Sequence, residues 1–202
     1  MDNFNYSEIG RRLKALRKRK GLNQQELAEL LGKSLRTVQK YETGEIEVSI
    51  AIVNQLAEIL ESTPTYILGY EVKNEPITNL ADIMNLLFQL EKVQGLDFRI
   101  EVKKPPRNDR WECSVSFDGK NTDADYNADM CLFLEQWEEQ RDDLRTYNST
   151  PASYRKWQEQ TLAYYAATSV DCTEPENISE EERRKRRIAY MESLYADKKG
   201  ET

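Results

Sequence analysis

Arg36, Gln39 and Lys40 bring a planar guanidinium fork, an amide that both donates and accepts, and a compact ammonium into one short stretch, GKSLRTVQKYETGE, residues 32–45. Ser34 ahead of Leu35, with Gly44 at the far end, predicts a helix over residues 35–42. At about 100° per residue, Leu35, Gln39, Arg36 and Lys40 fall at about 0°, 40°, 100° and 140°, one contiguous arc. Thr37, Tyr41 and Val38 fall at about 200°, 240° and 300°, where they can pack on a neighbour. The first arc has no packing role. It is either an ordinary solvated helix face or a surface fitted to the donors and acceptors on a base-pair edge. The flanking elements decide between the two.

Four more helices are legible in the first seventy residues. The first spans residues 7–20, with Ile9, Leu13 and Leu16 on one face and Gly21 at its end. Asn23 with Glu26 three residues on forms a capping box that opens a second, residues 24–31, with Leu27, Ala28 and Leu31 inward. Gly32 permits the positive backbone angle of a tight turn into the helix that carries the arc. Ser49 is read as the cap of a fourth, burying Val53, Leu56, Ala57 and Leu60, and Thr63-Pro64 opens a short fifth. The small Ala28 lets the second and third helices cross closely, giving a compact helix–turn–helix.

LNQQELAELLGKSLRTVQKYETGE, followed by a helix and the TPTYILG turn, resembles the Cro/repressor-type (XRE) helix-turn-helix family over residues 7–69. The resemblance rests on the joint spacing of Gln24, Ala28, Gly32, Val38, Glu42 and Gly44. It implies an all-α, five-helix, lambda-repressor-like domain that binds double-stranded DNA. Leu35, Arg36, Gln39 and Lys40 match its base-contacting positions: Arg36 and Lys40 suit guanine, Gln39 adenine and Leu35 a thymine methyl. Asn23, Gln24, Ser34 and Arg17 match phosphate-contacting positions, Gln24 together with its helix N-terminus. Arg17 and Glu42 also match a structural ion pair of the family. One departure is Glu45-Ile46-Glu47, where relatives often carry basic residues. Arg11, Arg12, Arg19 and Lys20 are open to two readings, a solvated helix face or phosphate contacts.

The whole chain of 202 residues has a net charge of −7, an odd balance for a phosphate-binding protein until the charge is divided by position. Residues 1–44 hold ten basic and five acidic residues, whereas residues 71–202 hold 19 and 27. Different partners are implied for the two halves. There is no histidine, which removes the commonest general base, Ser–His and Cys–His nucleophile pairs and most catalytic zinc sites. Three widely spaced cysteines without a CxxC predict reduced thiols. With no signal-peptide pattern and no long apolar run, a cytoplasmic protein is expected.

Beyond residue 70 the expectation is an acidic α+β domain over residues 77–202, joined by a polar linker at 71–76. A helix over residues 77–94 carries Leu80, Ile83, Met84, Leu87 and Leu90 on one stripe and Leu86 and Phe88 off it. Such a helix is deeply buried or lies at a subunit interface. LDFRIEVK and RWECSVSFD alternate cleanly around PPRND and predict an antiparallel hairpin that needs helices over its apolar face. Three helices follow, over residues 122–147, 151–168 and 180–198, the last capped by Ser179 with Glu182 and carrying Ile188, Met191, Leu194 and Tyr195 on one stripe. Tyr154, Trp157, Tyr164 and Tyr165 are core or line a small-ligand pocket, core being favoured. The carboxylates Asp123/Asp125/Asp129 and Glu138/Glu139/Asp142/Asp143 sit at helix starts or solvent faces. Arg183, Arg184, Lys185, Arg186 and Arg187 balance the acids before them or meet phosphate.

The reading is a non-enzymatic, sequence-specific transcriptional regulator, a repressor binding a pseudo-palindromic operator as a homodimer. No cofactor or metal is implied, and the acidic half would dimerise or sense a protein or small-molecule effector. The alternative is an antitoxin-like protein whose acidic half restrains a partner while the N-terminal half autoregulates.

Overall fold

The computed structural model describes residues 4–70, 77–104 and 110–197. It is a mixed α+β structure. Five helices come first: α1 (Tyr6–Arg19), α2 (Gln24–Leu31), α3 (Leu35–Thr43), α4 (Ile50–Ile59) and α5 (Pro64–Leu68). Then come α6 (Leu80–Leu90), the strands β1 (Phe98–Lys103) and β2 (Glu112–Phe117), and α7 (Asn127–Arg145), α8 (Pro151–Tyr165) and α9 (Glu180–Asp197).

Local chemistry sets the ends of the first five helices. Asn5 Oδ1 accepts the Glu8 N–H at 3.2 Å, which starts α1 one residue before Ser7. Asn23 and Glu26 exchange reciprocal capping bonds of 2.9 and 2.7 Å at the head of α2. Ser34 Oγ accepts the Thr37 N–H at 3.1 Å and opens α3. Ser49 occupies the N-cap of α4, but its hydroxyl makes no capping hydrogen bond, contrary to expectation. The apolar stripes meet in one core, where Ile9, Leu13, Leu16, Leu27, Val38, Val53, Leu56, Leu60 and Ile67 are at most 2% exposed. Each such side chain contributes about 1.5–3 kcal/mol of burial.

The closest approach within this core is between α1 and α3, where Gly10 lies against the backbone at the end of α3. A Cβ there would stand 2.6 Å from the carbonyl oxygens of Tyr41 and Glu42. Those are backbone atoms and cannot swing aside. Gly44, at φ +73°, faces the backbone of Ser7 just as closely.

The later half differs from expectation in four places, each with a local cause. The helix α6 is shorter than residues 77–94. Asn79 and Asp82 form a capping box that starts it at Leu80. Past its end, the backbone of residues 92–94 pairs with residues 171–173 through Gln94 N–H to Asp171 O and Thr173 N–H to Lys92 O, both at 2.8 Å. Nor is α6 buried, since Leu80, Ile83, Met84, Leu86, Leu87 and Phe88 are all 43–65% exposed. The hairpin forms, with Phe98 opposite Phe117, Ile100 opposite Val115 and Val102 opposite Cys113, but its cover is partial: α7 packs on β2 and the Phe98–Phe117 end is half-buried, while Ile100, Val102, Cys113 and Val115 are exposed. Finally, α7 begins at Asn127 rather than 122, because Asp118 and Asn121 spend their side-chain oxygens on the N–H groups of Lys120 and Asp123 and hold turns there. The expected linker at 71–76, the turn at 105–109 and the side chains of Leu194 and Tyr195 lie outside the described residues.

What order this half has comes from polar and aromatic clamps. Asn127, fully buried, accepts from the Asp97 N–H at 3.0 Å and donates to Asp118 O at 3.1 Å, fastening the start of β1 and the end of β2, the open end of the hairpin, to α7. Phe133 and Trp137 of α7 stack with Trp157 and Tyr154 of α8, and Trp137 Nε1 donates to the Tyr154 hydroxyl at 2.8 Å. In turn α8 packs on α4 and α5, with Ala163 wholly buried in the N-terminal core and Thr65 donating to Glu159 at 2.6 Å.

Gly10→Ala tests the α1–α3 approach. Alanine favours a helix interior by about 1 kcal/mol over glycine, but overpacking against fixed carbonyls costs about 1–3 kcal/mol. Urea unfolding followed by circular dichroism is expected to show a net loss of stability, and a gain would mean that the two helices do not approach so closely.

Candidate nucleic-acid interface

The turn between α2 and α3 is Gly32 in the left-handed region at φ +65°. With Ser34 capping α3, it directs the helix so that Val38, Tyr41 and Glu42 are buried beneath it, at 1%, 9% and 8% exposure. Tyr41 and Val38 fall on the inner arc anticipated from the wheel. Arg36 and Gln39 are exposed, Lys40 is half-buried and Leu35, at 38%, sits at the rim. Among the described residues, none of the Arg36, Gln39 and Lys40 side chains makes a hydrogen bond or an ion pair. Three long donors therefore project from a helix whose opposite side is locked. The helix packs on α1 and α2, while α8 docks on α4 and α5 and leaves the arc uncovered.

Glu42 is the centre of the lock. Its two carboxylate oxygens accept from Arg17 Nε at 2.5 Å and Arg17 Nη2 at 3.0 Å, and Gln24 Nε2 adds a third bond at 2.8 Å. Arg17 Nη1 donates to Leu22 O at 2.8 Å. Three helices thus meet at one carboxylate, and the α1–α2 turn joins them through Arg17. Burial opposes its ionisation, but the bonds from Arg17 and Gln24, with the charges of Arg17 and Lys14 behind them, hold its carboxyl below the usual glutamate range.

This arrangement separates the expected phosphate contacts. Arg17 is 7% exposed with its guanidinium turned inward and engaged by Glu42 and Leu22. It serves the ion pair, and its burial takes it out of reach of a phosphate. Gln24 is half-buried, with its amide nitrogen on Glu42 and its carbonyl oxygen outside that bond. Asn23 and Ser34 are exposed, but their side chains are committed to capping α2 and α3. Of the other cations, Arg11 and Arg12 share Glu8, and Lys20 pairs with Glu61. Glu45 is turned toward the Thr43 hydroxyl at 3.2 Å, and Glu47 lies at a cavity of about 270 Å³ between α4 and the end of α8. That cavity takes Tyr164 and Tyr165 but not Tyr154 and Trp157, so the aromatic quartet divides between two places. Among the described residues, no group of three or more His, Cys, Asp or Glu gathers to hold a metal, and no helix is long and apolar enough to cross a membrane. Gly10 escaped the sequence reading, and its one signal is the presence of a glycine inside a strong helix pattern.

Comparison with known proteins fits this geometry at the N-terminal end. Residues 13–67 match the family model described as Helix-turn-helix. A protein of Pyrococcus horikoshii, provisionally named an HTH-type transcriptional regulatory protein, is 32% identical over 103 residues, which cover 49% of this chain and 33% of that one. A similarly named protein of Pyrococcus furiosus is 35% identical over 100 residues, covering 50% of this chain and 25% of its own. The chain thus spans a third or less of the length of these relatives. Among solved structures, the restriction-modification controller protein of Aeromonas hydrophila is 35% identical, with a TM-score of 0.30, covering 31% of this chain and 94% of that one.

The lock has a pH signature. Because Glu42 is depressed in the folded state, an unfolded chain takes up its proton first as pH falls, so the pair's contribution is fully present above the ordinary glutamate range and is lost progressively as pH falls through the lower folded-state value. Glu42→Gln is expected to cost about 3 kcal/mol at pH 7, by leaving Arg17 buried without its counter-charge, and to flatten the acid slope of stability. Urea unfolding of both proteins between pH 7 and pH 3 measures this, and parallel profiles would remove Glu42 from the acid response.

Proposed function

We propose, from the premise that residues 13–67 form a helix-turn-helix domain, that the protein is a DNA-binding transcriptional regulator. In this reading residues 1–70 read the duplex and residues 77–202 dimerise. The carrying observation is the outward arc of α3, whose donors have no partner within the described residues and whose reverse face is held by Glu42. Arg36 and Lys40 would donate to guanine O6 and N7, Gln39 would pair with adenine, and Leu35 would touch a thymine methyl. The backbone N–H groups at the start of α2 and the second Nε2–H of Gln24, beyond the one it donates to Glu42, would donate to the phosphates and set the register. The excess of basic over acidic residues in the first 44 supplies attraction to DNA that the whole-chain charge of −7 conceals.

One copy presents a single short helix, too few contacts for useful specificity. The finer proposal is therefore a homodimer on a pseudo-palindromic operator with half-sites about one helical turn apart, acting as a repressor by occupying that site.

Selection of bound duplexes from a random pool, followed by anisotropy titration, is the test. An inverted repeat is expected, with affinity falling steeply as salt rises. Arg36→Ala should cost about 1–3 kcal/mol and relax preference at one position in each half-site. If Arg36→Ala and Lys40→Ala both leave binding to the selected duplex unchanged, α3 is not the reading element.

A further inference from the structure

The later half of the chain leaves two apolar surfaces uncovered, joined by the short connection at residues 91–97. One is α6, apolar around most of its circumference, with Met84, Leu87 and Phe88 about half exposed or more; among the described residues it has no substantial packing on another element. The other is the hairpin face formed by Ile100, Val102, Trp111 and Val115, which are 43–77% exposed. We infer that α6 and the apolar face of the β1–β2 hairpin in one chain are covered by the same two elements of a second copy. This rests on the dimeric reading above and gives it an interface.

Area and charge both point to a second copy. Ten large apolar side chains on the two surfaces are 43–77% exposed, a concentration unlike the single scattered exposures usual on monomers and of the kind a stable interface of roughly 800 Å² per partner draws on. Two-stranded hairpins are marginal in water without cover, and a helix that is apolar nearly all round is a buried helix. The sole charged side chain of α6 is Asp82, and its Oδ2 is spent on the Thr78 and Asn79 N–H groups at 2.8 and 3.1 Å. The hairpin places Arg99, Glu101, Lys103 and Glu112 on the opposite face from Ile100 and Val115. Neither surface offers a charge to a nucleic acid or a charged peptide. The later half, with 27 acidic and 19 basic residues over 71–202, repels its own copy through its charged faces, which favours a meeting of like halves at the uncharged ones. An uncharged apolar surface is complementary to itself, as a two-fold interface requires.

Sedimentation velocity of the full chain at micromolar concentration is expected to give twice the monomer mass of 23.6 kDa. Phe88→Glu on α6 and Val115→Lys on the hairpin should each raise the dimer dissociation constant by about tenfold or more, with circular dichroism unchanged because both side chains are exposed in the single chain. Leu30→Glu, exposed on α2, should leave it unaltered. Cys113 provides a second readout, since it lies on the apolar hairpin face whereas Cys172 does not, and both are exposed in the single chain. Alkylation by N-ethylmaleimide, followed by mass spectrometry, should be slower at Cys113 than at Cys172 in the wild type and should recover at Cys113 in Phe88→Glu. A monomeric wild type, or a dimer indifferent to both substitutions with Cys113 freely reactive, would overturn the interface. Anisotropy on a single half-site duplex separates this from the DNA reading: an intact, substitution-sensitive dimer that binds no duplex keeps the interface and removes the function.

Discussion

The Arg17–Glu42 ion pair is the joint on which the N-terminal structure turns. It sits between the last turn of α1 and the end of α3, almost without exposure, and Gln24 brings the start of α2 to the same carboxylate. Two desolvated charges are not an efficient way to stabilise a core, and apolar residues of the same size often do as well. What the pair supplies is direction. A bidentate guanidinium–carboxylate contact specifies a plane and an angle, where packed leucines specify only a volume. A shift of α3 by one residue would rotate the arc by about 100° and turn Arg36 away from solvent.

Close packing completes what the ion pair begins. Gly10 removes the side chain that would hold α1 and α3 apart, and Gly44 does the same where the end of α3 passes Ser7. With its inner residues committed to the core and to Arg17, α3 has no freedom to bury Arg36 or Gln39. The attachment of α8 on the α4–α5 side matters for the same reason, because the later half is tied to the domain without covering the arc.

The later half is built on another principle. Its internal order comes from a buried asparagine amide, an aromatic stack between α7 and α8 and a short backbone pairing near Cys172, with little aliphatic core. The aliphatic residues are present, but they face outward from α6 and the hairpin. Polar clamps fix geometry at modest cost, while burial of apolar area supplies most of the free energy of folding. In the dimeric reading proposed above, association would supply the burial that this half lacks as a single chain.

The helices of the first seventy residues were legible because caps and apolar periodicity are local: Asn23 with Glu26, Ser34 and Gly32 announce their roles within four residues. The faces of the two strands were legible for the same reason, since alternation with period two assigns each side chain to a face, while the pairing of Ile100 with Val115 and Val102 with Cys113 came from the structure. The exposed arc on α3 followed from a wheel. Less was legible where partners are distant in sequence. Nothing near residue 90 shows that residues 171–173 will pair with the chain just past α6, whereas the Asx turns ahead of α7 are local, Asp118 and Asn121 each bonding an N–H two residues on. Arg17 looked equally suited to a phosphate and to Glu42, and its burial resolved the two. By itself, then, the sequence determined the elements and the face each presents, because these depend on neighbours within a turn or a strand. Only the tertiary structure decided which faces are covered, which cations remain unpaired and where Gly10 must be small, because those depend on contacts between residues far apart in the chain, made only once the helices are packed.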